Sequence, residues 1–438
     1  MNKIKMYLKK FFYITILIIF ILSIYDTISY ADSTNKTDED ITLYSKSSIL
    51  IDSTTGQILY EHNAYEKTYP ASTTKLMTAI LTLENCSLTD SVTVTKEAIS
   101  GIPSGYTKAN LQVGEILTVD QLLHVLLIPS ANDAANVLAC HIAGSIDDFS
   151  IMMNAKAKEL GCQNTHFVNP SGIHSDDHYS TAYDMSLIGA YANTFDNIKQ
   201  ITLETTYTLP NSPDGKERTF KTTNTLITPN NKYYYEYATG MKTGYTDKAK
   251  SCIVAKAKKD DIELICVVLG GDKTEDSKSE RELDCHTLFD YGFDHFSYQT
   301  ICSKDKILDL NSLSDVPDIL HDTSIAFSDD LNLLVDDNYL DTNRNISWKT
   351  DLQLPLYKNT IIGSITYDIN GTNYTINLLL NEDVLPSESK SISSLFYILL
   401  IFLIIVIFIT IFRKKRKNRF HRKSRSSRDE KYFRHSFY

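Results

Sequence analysis

Three short clusters of polar residues have types and spacings suited to acyl transfer. Ser72-Thr73-Thr74-Lys75 opens a helical stretch, and a separation of three puts Ser72 and Lys75 on one helical face, within reach of each other. A serine hydroxyl is a poor nucleophile until a base takes its proton. A lysine amine serves as that base only where desolvation or nearby positive charge lowers its pKa. The helix N-terminus adds a field that favours negative charge at the serine. Ser130-Ala131-Asn132 follows Pro129 in the break between two apolar helical runs; taken alone it reads equally well as a cap for the second run. Lys242-Thr243-Gly244 leads toward a strand. It offers a cation, a hydroxyl and a glycine that admits a ligand close to the backbone, although alone it reads as a surface turn. S-x-x-K by itself recurs by chance in chains of this length. The three clusters together, in this order and separated by 58 and 112 residues, make coincidence a poor account.

The elements that position these clusters are legible in outline. Ser48–Ile51 and Gly56–Tyr60 read as two strands of a hairpin around Asp52–Thr55. Helices are expected from Ser72 to about Leu83, from the capping-box pattern Thr118-x-x-Gln121 through Leu127, from Asn132 to Ala143, from Ser145 to Gly161 and over Thr181–Ala192. After about residue 200 the pattern turns to strands, with Cys252–Ala257 and Glu263–Leu269 joined by a charged turn, and then a helix near Ser277–Tyr291. Strands open and close the region while helices lie between, which predicts an α/β (α+β) fold with a mostly antiparallel sheet rather than alternating βαβ units. From 300 to 386 the helical pattern gives way to short strands, with Asn370-Gly371 as a hairpin turn. We expect a small all-β domain there.

The 438 residues carry a formal net charge of −10, but the charge is segregated. Residues 1–12 hold four lysines and no acid, and residues 413–438 hold 12 Lys+Arg against two acids, so the remainder carries −10 − 4 − 10 = −24. An acidic body between basic ends argues against nucleic acid as its partner. Both basic ends abut apolar runs. The lysines precede Phe11–Tyr25, followed by small residues through Ser29-Tyr30-Ala31, the pattern of a cleaved signal peptide over 1–31; an uncleaved anchor is the alternative and gives the same orientation. Leu395–Phe412 is an uninterrupted apolar run that meets the threshold of about 18 residues for a spanning helix, and Arg413–Lys417 follows at once. Basic flanks stay cytoplasmic, so the expectation is a single-pass membrane protein with its body on the outer, cell-wall face. A polar linker (387–394) precedes the helix, and a basic cytoplasmic tail (413–438) follows. The seven cysteines include no C-x-x-C pair, which argues against a zinc ribbon or thioredoxin site; no disulfide is assigned.

S-x-x-K, S-D-N and K-T-G are the motif set of the penicillin-binding proteins and class A β-lactamases; here the first and third match outright and the second at its outer two positions. The chain resembles the D-alanyl-D-alanine carboxypeptidases among the low-molecular-mass penicillin-binding proteins. The likeness runs through Pro70–Ala79, Ser130–Ala135, Asn169–His174, His178–Met185, Gly240–Thr246, Val267–Gly270 and the segment from Ser279-Glu280-Arg281 to Phe293, covering roughly residues 42–297. Ala131 stands where the family often has glycine. The resemblance implies a penicillin-binding/β-lactamase-like transpeptidase domain over 42–297, followed by the β-rich domain (300–386) and the membrane helix (395–412). It implies that Ser72 attacks the bond between the terminal D-alanines of a peptidoglycan stem pentapeptide with Lys75 as base, and that Ser130 relays a proton to the leaving amine. Lys242, Asn132 and Thr243, with Arg281 as a helper, would bind the substrate, and the backbone N–H groups of Ser72 and Tyr245 would form the oxyanion hole. β-Lactams would acylate the same serine, and no metal or cofactor is implied.

Rival readings are weaker. No G-x-S-x-G elbow suggests a Ser-His-Asp hydrolase. His174 and His178 are spaced like metal ligands, but Pro170 and Gly172 put them in a loop. The glutamates between Asn132 and Lys242 (Glu159, Glu204, Glu217 and Glu236) do not sit in a loop resembling the deacylating loop of a β-lactamase. A non-catalytic β-lactam sensor would need a cytoplasmic signalling domain larger than residues 413–438.

Overall fold

The computed structural model describes residues 41–432 apart from 211–212, 214, 273–279, 311–312, 314, 337–343, 370–371 and 387–393. The signal-peptide segment, the Asn370-Gly371 turn and nearly all of the 387–394 linker therefore lie outside the described residues.

Residues are contiguous in β1 (Ser47–Asp52) and β2 (Ile58–His62), the expected hairpin. With β7 (Ala238–Thr246), β8 (Lys250–Lys259) and β9 (Ile262–Gly271) they form a five-stranded antiparallel sheet in the order β2-β1-β9-β8-β7. Its inner strands are continuous apolar runs because both faces are covered. Period-two alternation divides them between two cores. Ile49, Ile51, Val254, Ile265 and Val267 join the core beneath the helical cluster. Leu50, Ile253, Ala255, Leu264, Cys266 and Val268 face the other core with Cys285, Leu288 and Phe289. Those last three belong to the helix Glu280–His295.

The helical cluster is built on α1 (Lys75–Asn85), whose first eight residues are all buried. A helix apolar around its whole circumference belongs inside a domain, and the uncharged run Leu76–Leu83 fits that position. Around it lie α2 (Lys96–Ile99), α3 (Val119–Leu127), α4 (Asn132–Ala143), α5 (Ile146–Glu159), α6 (Ala182–Ala192) and α7 (Asp196–Ile201). The caps read from sequence are present. Thr118 and Gln121 form the capping box of α3, Ser145 accepts from the Asp148 amide at 3.0 Å, and Thr181 accepts from the Asp184 amide at 3.0 Å. Hairpins β3–β4 (Ser91–Thr93, Ile116–Thr118) and β5–β6 (Thr206–Leu209, Arg218–Lys221) complete this region.

Two local differences matter for function. The residues Ala71–Thr74 form a 3₁₀ turn ahead of α1, so Ser72 precedes the α-helix that begins at Lys75. The Lys242-Thr243-Gly244 cluster lies inside edge strand β7 rather than in a turn before it.

The helix Glu280–His295 is α8, and it runs directly into β10 (Phe296–Cys302). Beyond it the described residues form β11 (Ile325–Phe327), β12 (Leu331–Asp336), β13 (Arg344–Trp348), β14 (Ile361–Ile369) and β15 (Thr372–Leu380), with a 3₁₀ turn at Asp318–Leu320. β10 pairs with β12, and a four-stranded sheet has the order β11-β15-β14-β13. The chain divides into two compact units, one comprising residues 1–307, 327–347 and 363–378, the other 308–326, 348–362 and 379–438. The first contains every catalytic candidate; the second contains α9 (Ser394–Tyr432). Within α9, Phe396–Arg416 is long and apolar enough to cross a membrane, and the helix continues through the basic stretch where the sequence suggested a separate tail.

Candidate active site

Three elements of the first unit bring the three clusters together. Lys75, the first residue of α1, is fully buried. Its Nζ lies 2.9 Å from Ser72 Oγ, 2.7 Å from Asn132 Oδ1 and 2.7 Å from the Ser171 carbonyl. Burial, reinforced by the positive charge of Lys242 and opposed by Asp133, drives its pKa well below the usual lysine value. Burial thus makes the neutral amine more accessible than in an exposed lysine, and in that form the group has two hydrogens and one lone pair. Asn132 Nδ2 donates to Thr107 O at 2.9 Å, which fixes the amide so that Oδ1 faces Lys75 as an acceptor. The Ser171 carbonyl is also only an acceptor. Both amine hydrogens are therefore committed to Asn132 and Ser171. Ser72 Oγ accepts from the charged lysine at 2.9 Å; when Lys75 is neutral, the lone pair is left for the Ser72 hydroxyl proton.

Each of these groups is held by its own local structure. Asn132 opens α4, yet neither it nor Ser130 caps that helix; the cap position is Ala131, without a side-chain bond. The amide of Asn132 instead donates to Thr107 O at 3.0 Å, and the buried Asp133 carboxylate accepts from the amides of Ala109 and Leu111 at 2.9 and 3.1 Å. The polar triplet thus ties the 107–111 loop to the helix. Ser171 is held by an Asn169 turn: Asn169 Oδ1 accepts from the amides of Gly172 at 2.8 Å and Ile173 at 3.1 Å, and its Nδ2 donates to Ile173 O at 2.8 Å. Gly172 has a φ of 79°, and a Cβ there would lie 1.8 Å from the Ala71 carbonyl oxygen, so only glycine fits.

On the strand side, a Cβ at Gly244 would come within 2.8 Å of the Ser72 nitrogen. Glycine lets the β7 backbone close on the Ser72 amide, with Tyr245 next in line. Lys242 is buried, and its Nζ donates to the Thr243 carbonyl at 2.8 Å. Burial, then the Arg281 charge, brings its pKa down to about 7. The Thr243 hydroxyl pairs with the Thr223 hydroxyl. Arg281 is tied to the Glu282 carboxylate and donates to Cys252 O at 3.3 Å. It acts on Lys242 through its field and makes no hydrogen bond to Lys242 or Thr243 among the described residues. Ser130 has a left-handed φ of 67° and lies in the break between α3 and α4; its hydroxyl has no hydrogen-bond partner among the described residues, Lys242 included.

The histidines of the 174–178 loop do other work. The buried His178 accepts from the Val168 amide at Nδ1 (3.1 Å), so its Nε2 carries the proton and donates to Thr74 Oγ1 at 2.9 Å. Burial lowers its pKa to about 3, which leaves it a neutral brace behind the Ser72 turn, with both nitrogens occupied. The sequence reading overlooked Thr107, Asp133 and the Ser171 carbonyl. Asn-Pro-Ser-Gly signals a turn, but not that one of its carbonyls faces Lys75.

The family model of the D-alanyl-D-alanine carboxypeptidases (peptidase S11) matches residues 33–273, a span that holds all three clusters and ends before Arg281. The D-alanyl-D-alanine carboxypeptidase DacF of Bacillus subtilis is 29% identical over 364 residues, covering 82% of this chain and 90% of its own. The carboxypeptidase DacA of Escherichia coli is 31% identical over 345 residues, covering 74% and 80%. Among solved structures, penicillin binding protein 5 from Haemophilus influenzae aligns with a TM-score of 0.61 at 26% identity over 79% of this chain and 98% of its own. A Streptomyces K15 DD-transpeptidase variant aligns with a TM-score of 0.53 at 31% identity over 58% and 99%. On these grounds the chain belongs to the D-alanyl-D-alanine carboxypeptidase family of serine peptidases.

Proposed function

We propose that Ser72 is the nucleophile and Lys75 the base with which this carboxypeptidase removes the terminal D-alanine from peptidoglycan stem pentapeptides. The observation that carries the reading is the geometry at Lys75: a fully buried lysine, its pKa driven down by burial, lies 2.9 Å from Ser72 Oγ, with Asn132 Oδ1 and the Ser171 carbonyl as its other partners. Lys75 takes the Ser72 proton as Oγ attacks the penultimate carbonyl. The amides of Ser72 and Tyr245 receive the oxyanion. Ser130 passes a proton to the departing D-alanine nitrogen. Water then attacks the acyl-enzyme and releases the shortened peptide. Lys242 and Thr243 bind the terminal carboxylate; Arg281 supports them by charge, and Asn132 meets the peptide amide. β-Lactams acylate Ser72 and block turnover.

We further propose that residues 1–31 direct export, that 42–297 form the catalytic domain and that 300–386 form the β-rich domain. The helix beginning near residue 395 then anchors the protein with its basic end in the cytoplasm, as positive flanking charge favours. The test is to incubate the full chain in detergent with a stem pentapeptide and measure free D-alanine, with Ser72→Ala as control. Release from the wild type and none from the variant is expected. Equal release from both would overturn the assignment of Ser72.

A further inference from the structure

A cavity of about 420 Å³ lies beside the segment that leads into Ser72, and its walls differ in charge from the rest of the acidic body. Four lysines, Lys46, Lys67, Lys248 and Lys250, line it against a single carboxylate, Asp176. The rings of Tyr69 and Tyr179 supply flat apolar surface. Asp176 is already engaged: Tyr69 Oη donates to it at 3.4 Å, and His174 Nε2 lies 3.4 Å away.

The lysines are available to an anion. Lys67 Nζ sits 4.3 Å from the centroid of the Tyr179 ring. Neither Lys67 nor Lys248 has a carboxylate partner among the described residues. Lys46 pairs with Glu66 at 2.8 Å and Lys250 with Asp272 at 3.0 Å, but every side chain in these pairs is about half exposed. Such pairs are weak and readily exchanged.

The cavity is also placed for substrate. β7 is the edge of its sheet, so its outer side is open to an added strand. Gly244 abuts the Ser72 amide, and Lys248 and Lys250 lie in and just after the turn 247–249 at the end of β7. A peptide lying on this edge with its scissile bond at Ser72 therefore points its preceding residues toward the cavity.

We infer that this cavity is a subsite for an anionic group, a carboxylate or phosphate held by Lys67 and Lys248 with Lys46 and Lys250 in support. The placement relative to Ser72 rests on the acylation reading above; the lysine cluster does not. The place of the cavity at the end of the β7 edge favours a carboxylate on the acyl side of the peptide substrate as the source; a phosphate of a separate polymer is the competing outcome of the test.

The test uses the full chain in detergent and the variant Lys67→Gln/Lys248→Gln, with Lys46→Gln/Lys250→Gln as a second variant. KM and kcat are measured on two D-Ala-D-Ala peptides that differ only in whether an upstream carboxylate is free or amidated. Sodium polyphosphate binding is titrated by calorimetry at fixed ionic strength. A wild-type KM about tenfold lower for the free carboxylate, lost in the first variant with kcat unchanged, supports the substrate as source. Polyphosphate binding lost in the first variant, with both peptide KM values unchanged, supports a separate polymer. If neither peptide preference nor polyphosphate binding depends on these lysines, the subsite is overturned. Labelled penicillin reads the neighbouring chemistry independently: failure of the wild type to label at Ser72 defeats the acylation reading, while the calorimetric arm still decides the cavity.

Discussion

The two walls of the groove hold their lysines in opposite ways. On the helix side, Lys75 meets three groups within 2.9 Å, each anchored by a loop or turn of its own. On the strand side, Lys242 is equally buried but has one hydrogen-bond partner among the described residues, the carbonyl of the next residue. Burial lowers both pKa values. The consequences differ because of the partners. Lys75 has its partners in place without substrate, as the proposed base would need before the first step. Lys242 carries donors that no other described residue takes up; on the proposed reading a substrate carboxylate would satisfy them and raise its pKa again. On that reading one wall is preorganised for chemistry and the other is finished by the ligand.

That contrast is broken most directly at the helix wall. Ser72→Ala and Lys75→Met should each reduce D-alanine release by about a thousandfold or more, and the double variant should be little worse, because residues acting as a unit are not additive. Single-turnover acylation by a labelled penicillin checks this. A Lys75 variant with near-normal acylation would defeat the assignment of Lys75 as base.

Lys242→Gln should affect binding more than chemistry. Loss of a charged hydrogen bond corresponds to about 1.5–3 kcal/mol, or about ten- to a hundredfold in kcat/KM, expressed mainly in KM. An effect confined to kcat would erase the distinction between the walls.

His178→Ala leaves Thr74 and the Val168 amide without their partner. Thermal unfolding should show a loss of about 1–3 kcal/mol, with Ser72 still able to acylate at low temperature.

The smallest expected effect is in pH dependence. Lys242 has a folded pKa of about 7 against an ordinary value of 10.5, so between those values the unfolded chain binds more protons. Stability should therefore rise with pH across that window, and Lys242→Met should flatten the rise. In the free enzyme, charge on Lys242 is lost as pH passes about 7, so KM for a carboxylate-bearing peptide should increase above that point. Equilibrium unfolding and a KM–pH profile measure the two effects.

Much of the first unit is readable without coordinates. The helices at 119–127, 132–143, 146–159 and 182–192 follow from periodicity and caps, and β8 and β9 from their unbroken apolar runs. The site residues could be nominated because Ser72 and Lys75 are local to each other. What was misread was local as well: the 3₁₀ turn at Ala71–Thr74 sits where helical spacing suggested α-helix, since the pattern of side chains does not distinguish a tight first turn from a regular one. Lys242-Thr243-Gly244 leads toward a strand in sequence and, taken alone, reads as a surface turn. In the fold, glycine is required within β7 because the Ser72 backbone occupies the space a side chain would need.

The sequence alone determined the residue types, their order, the buried character of α1 and the segregation of charge into an acidic body with basic ends. These are properties of composition and short-range periodicity. Only tertiary structure decided that Ser171, 96 residues from Lys75, offers its carbonyl to that amine, that Asn132 presents oxygen rather than nitrogen to it, and that four lysines from separated segments share one cavity. Backbone carbonyls have no sequence signature, an amide's orientation depends on its other partner, and charges distant in the chain become neighbours only when the sheet and loops close around them.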